Sequence, residues 1–370
     1  MTMPRLLNRL SCLLLCIGLG TAHADKLDDD LQTVWESLWD QRGTPRLLLR
    51  WNGPALPYRI HGADAARHQT HIEGAIKAAA DIARLELVDV SAQADAGTAE
   101  MLDIEVVDDT ALQNNEPCLT RHLENKDGAL RKVEVKMRSR DAWRCTHHEM
   151  MHAMGILGHP SGRTVLSYFP YRRDVFMALD RVMLAAWYAP VMPRNATPLE
   201  ALVVLGRAVA SQPDLTLEPG EAVSRADAFN HRALAQLEAL ASGQGEVPAI
   251  VRRSGKASDN YIDKARPMMA YFVGMAYFRG VIARRNPAAS TPWFKRGAER
   301  GYLPAQLMWA SALIDGTGFE VDRPAGHAWM TLAAKTGIPF VVNSLALVET
   351  KMSPEELVKA RTLPAPTVNP

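Results

Sequence analysis

Residues from about 265 to 340 repeat with a period of 36, and this repeat restricts the possible folds more than any other feature of the chain. Small residues recur where neighbouring helices would touch, and aromatic residues fill the space between them. A unit of this length with two helices predicts a helical solenoid, in which each unit packs on the next. The offset of 36 aligns these pairs: Gly280 with Gly316, Phe272 with Met308, Gly274 with Ala310, Ala276 with Ala312, Trp293 with Trp329, Ala298 with Ala334, and Gly301 with Gly337.

The clearest unit contains the sequence Trp293-Phe294-Lys295-Arg296-Gly297-Ala298-Glu299-Arg300-Gly301. This pattern, which follows a helix of small residues and a glycine, resembles the Sel-one-like repeat family, a relative of the tetratricopeptide repeats. The resemblance implies an all-α repeat domain over 261–370 that offers a surface to a protein partner. An ordinary helical bundle is the alternative, because two units are clear and stable stacking normally needs three.

The segment before the repeats is predicted to be helical. Thr197-Pro198-Leu199-Glu200 forms a capping box with proline at the first helical position. No strand pattern follows residue 195, so we expect a helical linker region over 195–260.

The first 24 residues have the three parts of an export signal. Arg5 and Arg9 give a positive flank, and the apolar stretch Leu10 to Leu19 is too short to span a bilayer. Ala22-His23-Ala24 has the form of a cleavage site, so the mature chain is expected to begin at Asp25 and to be periplasmic or secreted. No later stretch suits a membrane span.

The net charge of +1 gives no sign of a nucleic-acid partner.

Two cysteines, Cys118 and Cys145, stay in the mature chain. An oxidising compartment makes a disulfide between them the first expectation. Zinc ligation by Cys145 is the alternative.

Residues 25–194 are expected to form an α+β domain. Alternating apolar residues predict strands over Tyr58 to His61, Leu102 to Val107 and Lys132 to Met137, and Leu47 to Trp51 also has strand character. Helical spacing predicts helices over the following segments: Asp25 to about Gln41, His71 to Leu87, and Asp141 to about Leu157.

The chemistry lies in the segment from His147 to Pro160. His148 and His152 are four residues apart, so on a helix both imidazoles point from one face and can bind one metal ion. Two imidazoles suit Zn²⁺ among the common metals. Glu149, one residue further round, is placed to act as the general base for a metal-activated water. A helix with two solvated or capping histidines is the structural alternative. His147 faces away from His148 and is expected to be exposed.

The extended motif resembles the metzincin clan of zinc metallopeptidases, and in particular its serralysin-like branch, which shows HExxHxxGxxH followed by proline. His148, Glu149, His152, Gly155 and the pair His159-Pro160 match, but six residues instead of five separate His152 from His159. The resemblance implies a zincin domain with His159 as the third zinc ligand. Gly158 can absorb the added residue, since glycine permits positive φ. Asp174 and Asp180 are the alternative third ligands.

Downstream, Thr164-Val165-Leu166-Ser167-Tyr168 resembles the family's Ser-Ile-Met-Ser-Tyr turn beneath the metal. Leu166 stands where the family has methionine, and a similar bulk lets it pack there. Tyr168 matches the family's tyrosine, which implies a phenol near the metal or the oxyanion. A core tyrosine is the alternative interpretation.

Together these observations predict a zinc-dependent endopeptidase that hydrolyses peptide bonds of extracytoplasmic proteins or peptides. One alternative is a catalytically inactive zinc-binding zincin fold that acts as an adaptor through its helical repeats. Another is a hydrolase of non-protein amides that uses the same site.

Overall fold

The computed structural model describes residues 26–92, 100–113, 116–167, 174–215 and 217–369. Within them the chain forms two compact units. Unit one comprises residues 26–41 and Arg46–Phe229, and unit two comprises Arg42–Pro45 and residues 230–369. The predicted export signal over 1–24 lies outside the described residues.

Unit one combines helices with a five-stranded mixed sheet. Its elements in chain order are α1 (26–37), β1 (Ala55–His61), α2 (Ala65–Ala83), β2 (Glu86–Asp89), β3 (Met101–Val107), β4 (Cys118–Lys126), β5 (Ala129–Arg138), a 3₁₀ turn (Ser139–Asp141), α3 (Ala142–Ala153), α4 (Ala178–Trp187) and α5 (Pro198–Ala210).

The strand order is β2-β1-β3-β5-β4, and only the edge strand β4 runs antiparallel to its neighbour. Along the central strands, more buried and less buried side chains alternate as the sequence predicts. Ile104 and Val135, which are opposite each other in register, are fully buried. Asp127 and Gly128 both take positive φ, which is the backbone that a tight two-residue hairpin between β4 and β5 requires. The sheet therefore presents β4, its one antiparallel strand, at an edge.

Several local predictions need correction. The helix predicted over His71 to Leu87 spans Ala65–Ala83, and Glu86–Asp89 form the strand β2. Residues 47–51 form no strand, because Arg50 donates to the carbonyl oxygens of Trp187 and Met192 and meets the sheet only at an isolated bridge to Ala129. The helix of the metal motif ends at Ala153, four residues before the predicted Leu157. Strand β4 was not predicted, since its largely exposed sequence lacks a regular apolar alternation.

Unit two is all-α over the residues described in it. The helix α6 (Pro219–Ala241) crosses the boundary between the units, and the following helices are α7 (Ala249–Arg253), α8 (Asp259–Arg279), α9 (Pro287–Glu299), α10 (Leu303–Asp315), α11 (Arg323–Ala334), α12 (Pro339–Glu349) and α13 (Pro354–Thr362). The capping box at Thr197 and Glu200, predicted to open the helical region, begins α5 in unit one.

The helical repeat is confirmed by equivalent caps at the same offset of 36. Gly280 ends α8 and Gly316 ends α10, both in the left-handed conformation. The side chains of Asn286 and Asp322 cap the starts of α9 and α11 in the same way. A buried cluster that includes Phe294, Trp309, Trp329 and Met330 joins successive helix pairs. Across the described part of the chain, no helix has the length and apolar character needed to cross a bilayer.

Candidate metal centre

Helix α3 carries the first two histidines and is anchored near its start by a disulfide. Cys118 at the beginning of β4 is bonded to Cys145 in the second turn of α3, which confirms the predicted pairing. The bond also removes Cys145 from the possible zinc ligands. His148 and His152 follow on one buried face, and their Nε2 atoms lie 3.0 Å apart.

The chain reverses directly after α3. Gly155 has a φ of +106°, and a Cβ at this position would overlap the carbonyl oxygen of Leu49. Glycine is therefore required here for both its backbone conformation and its lack of a side chain. The indole of Trp51 donates to the carbonyl of Ala153, and the hydroxyl of Tyr188 donates to that of Met154. The carbonyl oxygens at the end of the helix thus accept hydrogen bonds from side chains, and no further helical residue is needed.

This reversal brings His159 to the other two histidines. Its Nε2 lies 3.2 Å from Nε2 of His148 and 3.1 Å from Nε2 of His152. Among the described residues, these three form a cluster whose ligand atoms suit one metal ion. The alternative ligands are not in it: Asp174 is exposed, and Asp180 is buried in a separate hydrogen-bond network.

The triangle of nitrogen atoms fits a tetrahedral ion. An ion about 2.0–2.1 Å from each imidazole nitrogen needs nitrogens about 3.3 Å apart. The observed separations of 3.0, 3.1 and 3.2 Å come within a few tenths of an ångström of that value. Three histidines with a fourth position open to solvent or substrate form a donor set that Zn²⁺ accepts.

The outer nitrogens of the first two histidines are fixed by backbone carbonyls. Nδ1 of His148 donates to the oxygen of Val165 over 2.8 Å, and Nδ1 of His152 donates to the oxygen of Ile156 over 2.7 Å. A proton on Nδ1 leaves the lone pair of Nε2 directed at the shared point. Burial also lowers the pKa of His152 to about 4, so this imidazole is neutral near pH 7 and ready to act as a ligand.

A buried carboxyl supports the segment beneath His148. Asp180 accepts hydrogen bonds from the hydroxyl of Thr164 and the backbone N–H of Val165, and from the N–H of Met177 at the start of α4. Burial raises the pKa of Asp180 to about 6. Leu166, the residue expected under the metal in place of methionine, is fully buried in this turn. Asp180 therefore supports the turn that holds His148.

Glu149 lies beside the nitrogen triangle. Its Oε1 is 4.0 Å from Nε2 of His148, and its Oε2 accepts a hydrogen bond of 2.6 Å from the hydroxyl of Thr120 on β4. The side chain is buried. One carboxylate oxygen is thus held by the sheet, and the other lies toward the cluster of histidines.

Three supporting groups could not be found from the sequence. Thr120 and His122 come from the strand that was not predicted, and His122 Nε2 donates to the carbonyl of His152 over 2.8 Å. The side-chain amide nitrogen of Gln41, from the turn after α1, lies 2.7 Å from Nδ1 and 3.4 Å from Nε2 of His159. Each contact joins segments that are distant in the chain, and no local pattern signals it.

Two further predictions concern Tyr168 and His147. Tyr168 lies outside the described residues. His147 is half-buried instead of exposed, because its ring packs edge-on between His71 and Phe176. Burial lowers its pKa to about 4.

The added residue before His159 is not absorbed by positive φ at Gly158. The φ of Gly158 is not in the left-handed region, and a Cβ there would come within 2.5 Å of the Ser37 oxygen and 2.6 Å of the Glu36 oxygen. Close packing at Gly158 therefore replaces the expected change of backbone conformation.

No protein-family model and no curated relative matches this chain. A protective antigen present in uropathogenic Escherichia coli strains, described as displaying an SLR fold, aligns with 16% identity over 50% of this chain and 40% of its own, with a TM-score of 0.25. A Sel1 repeat protein from Oxalobacter formigenes aligns with 19% identity over 46% of this chain and 55% of its own, with a TM-score of 0.22. This chain therefore spans about half the length of those structures.

Proposed function

We propose that this chain is a zinc-dependent endopeptidase of extracytoplasmic proteins or peptides. His148, His152 and His159 would hold the ion, and Glu149 would act as the general base. The observation that carries the proposal is the convergence of three imidazole nitrogens within 3.2 Å of one another, with the Glu149 carboxylate 4.0 Å from one of them.

Zinc fits the donor set better than the harder cations. Mg²⁺ and Ca²⁺ prefer oxygen ligands, whereas neutral imidazoles suit Zn²⁺. When bound, zinc supplies a Lewis acid that polarises a substrate carbonyl and increases the acidity of water. The backbone partners of His148 and His152 keep both rings in the tautomer that such an ion requires.

Glu149 has the position that a general base needs. Thr120 occupies its Oε2, so Oε1 is the atom directed at the reaction site. From there it can take a proton from the attacking water and pass it to the leaving amine. The hydrogen bond from Thr120 also prevents the carboxylate from turning away, which keeps the proton acceptor in one place.

The exposed edge of the sheet favours a peptide as the substrate over a non-protein amide. Strand β4 pairs with β5 on one side and with no other strand of the described chain on its outer side. An extended peptide can add to such an edge through backbone hydrogen bonds. Because Thr120 of β4 contacts Glu149, a peptide paired along this strand would pass close to the metal centre.

A zincin domain of the metzincin type is part of the proposal. Its support is the glycine-dependent reversal at Gly155, the arrival of His159, and the buried turn at Leu166 that is bonded to His148 through Val165. The disulfide and the signal-like N-terminus support a periplasmic or secreted location.

An inactive zinc-binding adaptor is the second candidate. It is favoured by the added residue before His159 and by Leu166 in place of methionine, both departures from the peptidase pattern. In this case the zinc would stabilise unit one, and the repeats of unit two would bind the partner.

One set of measurements tests the proposal. The purified mature chain should contain one zinc per molecule by elemental analysis, and His148→Ala and His152→Ala should each lose it, since two imidazoles remain. Glu149→Gln should keep the zinc but lose cleavage of an unfolded protein substrate, because an amide cannot accept the proton. Full zinc in both histidine variants would overturn the metal assignment. Equal cleavage by Glu149→Gln would overturn its role as base, and zinc without any cleavage by the wild type would favour the adaptor.

A further inference from the structure

We infer that the segment 363–369, which follows α13, occupies a peptide-binding site of the repeats, and that this site takes an extended acidic segment of a partner protein. We call 363–369 the return segment, because it leads back from the end of α13 to the end of α9. The inference concerns unit two alone and does not depend on the metal centre.

The return segment has the form of a bound peptide. It contains no helix or strand, and Pro364 and Pro366 favour an extended backbone. Leu363, Pro366 and Val368 are partly buried, whereas the residues between them are exposed. Proline-rich segments are common ligands of protein grooves, because their extended backbone loses little entropy on binding. One side of the return segment is therefore held by unit two, and the other side faces solvent.

The far end of the return segment is seated on α9. Val368 packs on the buried cluster that joins the helix pairs, and the N–H of Asn369 donates to the carbonyl of Glu299 over 2.8 Å. Gly301 allows this approach: its φ is +84°, and a Cβ there would lie 3.2 Å from a methyl group of Val368. A Cβ on Gly337, the equivalent residue one unit on, would meet no other described part of the chain within 4 Å. The repeat thus offers this place in both units, and the return segment fills it in the first.

A groove beside the end of the return segment carries an excess of positive charge. Three cations and one carboxylate are among the residues that line it, which are Pro292, Lys295, Arg296, Glu299, Arg300 and Asn369. At the offset of 36, the next unit has Thr331, Leu332 and Thr336 in place of the three cations. Packing of the repeat therefore does not require these charges, and an acidic group on a bound peptide would complement them.

The return segment matches the apolar part of this site but not its charge. None of the residues 363–369 is acidic. A partner segment with an Asp or Glu beside its apolar anchor would gain a charged hydrogen bond to Arg300, and so would displace the return segment. A short tether gives the return segment an effective concentration on the order of millimolar, which keeps weak ligands out.

Fluorescence anisotropy with labelled peptides measures access to this site. The probes are the peptide 364–369 and the same peptide with Asn369→Asp. A chain that ends at Leu363 should bind the Asn369→Asp peptide at least about 10-fold more tightly than the full mature chain, because the tethered competitor is gone. It should bind the unchanged peptide less tightly than the acidic one, and high salt should reduce the difference.

Further variants test the two kinds of contact. Arg300→Gln in the shortened chain should remove the preference for the acidic peptide. Arg253→Gln, at an exposed arginine of α7, is the matched control and should keep it. Val368→Lys in the full chain should release the return segment, because a charge is costly in the apolar cluster and is repelled by the groove. This variant opens the site without shortening the chain, so it decides the matter if the shortened chain does not fold.

The outcomes bear on the surface and on the partner separately. Binding no tighter than that of the full chain, in both the shortened chain and Val368→Lys, would overturn the inference and make the return segment a fixed part of the repeats. Equal binding of the two peptides, or an unchanged preference in Arg300→Gln, would overturn the acidic partner. The measurement needs no zinc, so the failure of the proposed function would leave its result unchanged.

Discussion

At the scale of single residues, the proposed general base and the clustered histidines are held by different kinds of group. The outer nitrogens of His148 and His152 are held by backbone carbonyls, whereas Oε2 of Glu149 accepts a hydrogen bond from the side-chain hydroxyl of Thr120. A hydrogen bond to a charged group contributes about 1.5–3 kcal/mol. The orientation of the proposed base is therefore determined by a residue outside the metal motif.

Replacement of Thr120 tests this dependence. Thr120→Val keeps the shape of the side chain but frees Oε2 of Glu149, so kcat should fall about 10- to 100-fold. The zinc content should be unchanged, because Thr120 contacts no ligand nitrogen in any hydrogen bond of the site. Thr120→Ser retains the hydroxyl and should restore most of the activity. Steady-state kinetics measure kcat, and elemental analysis measures the zinc content. A serine variant as slow as the valine variant would contradict the role of the Thr120 hydroxyl.

The sequence identified only those site residues whose geometry is local. His148 and His152 share one helical face because they are four residues apart, and Gly155 marks the point where that helix must end. Thr120 reaches Glu149 across 29 residues, and Gln41 reaches His159 across 118. No periodicity links positions so far apart, so these partners required the folded structure.

At the scale of elements, β4 and α3 are joined by three successive contacts. Alternate residues of β4, which project from one face of a strand, each reach α3. Cys118 bonds to Cys145, Thr120 donates to Glu149, and His122 donates to the carbonyl of His152. These contacts advance along α3 from its second turn to its end. The edge strand thereby fixes the helix that carries the metal motif along most of its length.

The disulfide is the covalent part of this attachment and gives a prediction for the element. Thiol counting on the denatured, non-reduced mature chain should find no free thiol. The double variant Cys118→Ala, Cys145→Ala should be less stable by about 3.5 kcal/mol in the chain-entropy model, since the bond closes a loop of 27 residues. Denaturant unfolding measures this loss. Two free thiols per chain would show that β4 and α3 are not covalently joined, and unchanged stability in the double variant would show that the bond does not stabilise the fold.

At the scale of the whole molecule, the two units differ in how much of them the sequence could predict. In unit two each helix pair packs mainly on the next pair, so a repeat in the sequence is also a repeat in the contacts, as Gly280 and Gly316 illustrate. In unit one the sheet order β2-β1-β3-β5-β4 places strands beside partners that are not consecutive. The edge strand β4 has no apolar pattern of its own, and its place is set by pairing with β5.

Titratable groups in unit one make the stability of the metal-free molecule depend on pH. Burial lowers the pKa of His152 and that of His147 from 6.5 to about 4. Their contribution to the free energy of unfolding is therefore complete above pH 6.5 and is lost as the pH falls toward 4. Burial raises the pKa of Asp180 from 3.8 to about 6, so its contribution is present below pH 3.8 and is lost as the pH rises through 6. Between pH 4 and 6 unfolding lets two histidines take up protons, whereas one carboxyl releases its proton. The unfolded state therefore binds more protons than the folded state in this range.

The chelator-treated protein should therefore lose stability on acidification, by on the order of 1–3 kcal/mol between pH 7 and 4.5. Hydrogen exchange followed by mass spectrometry assigns the loss to a unit: protection of α3 should decrease, because His147 and His152 lie in that helix. His147→Phe keeps the aromatic contact with Phe176 and removes one titrating group, so it should reduce the decrease. Unchanged protection of α3 down to pH 4.5 would mean that neither buried imidazole is linked to folding, and an equal decrease in His147→Phe would mean that His147 is not. Zinc at saturation should suppress the decrease at pH 6, since the ion binds only the neutral imidazoles of the folded chain.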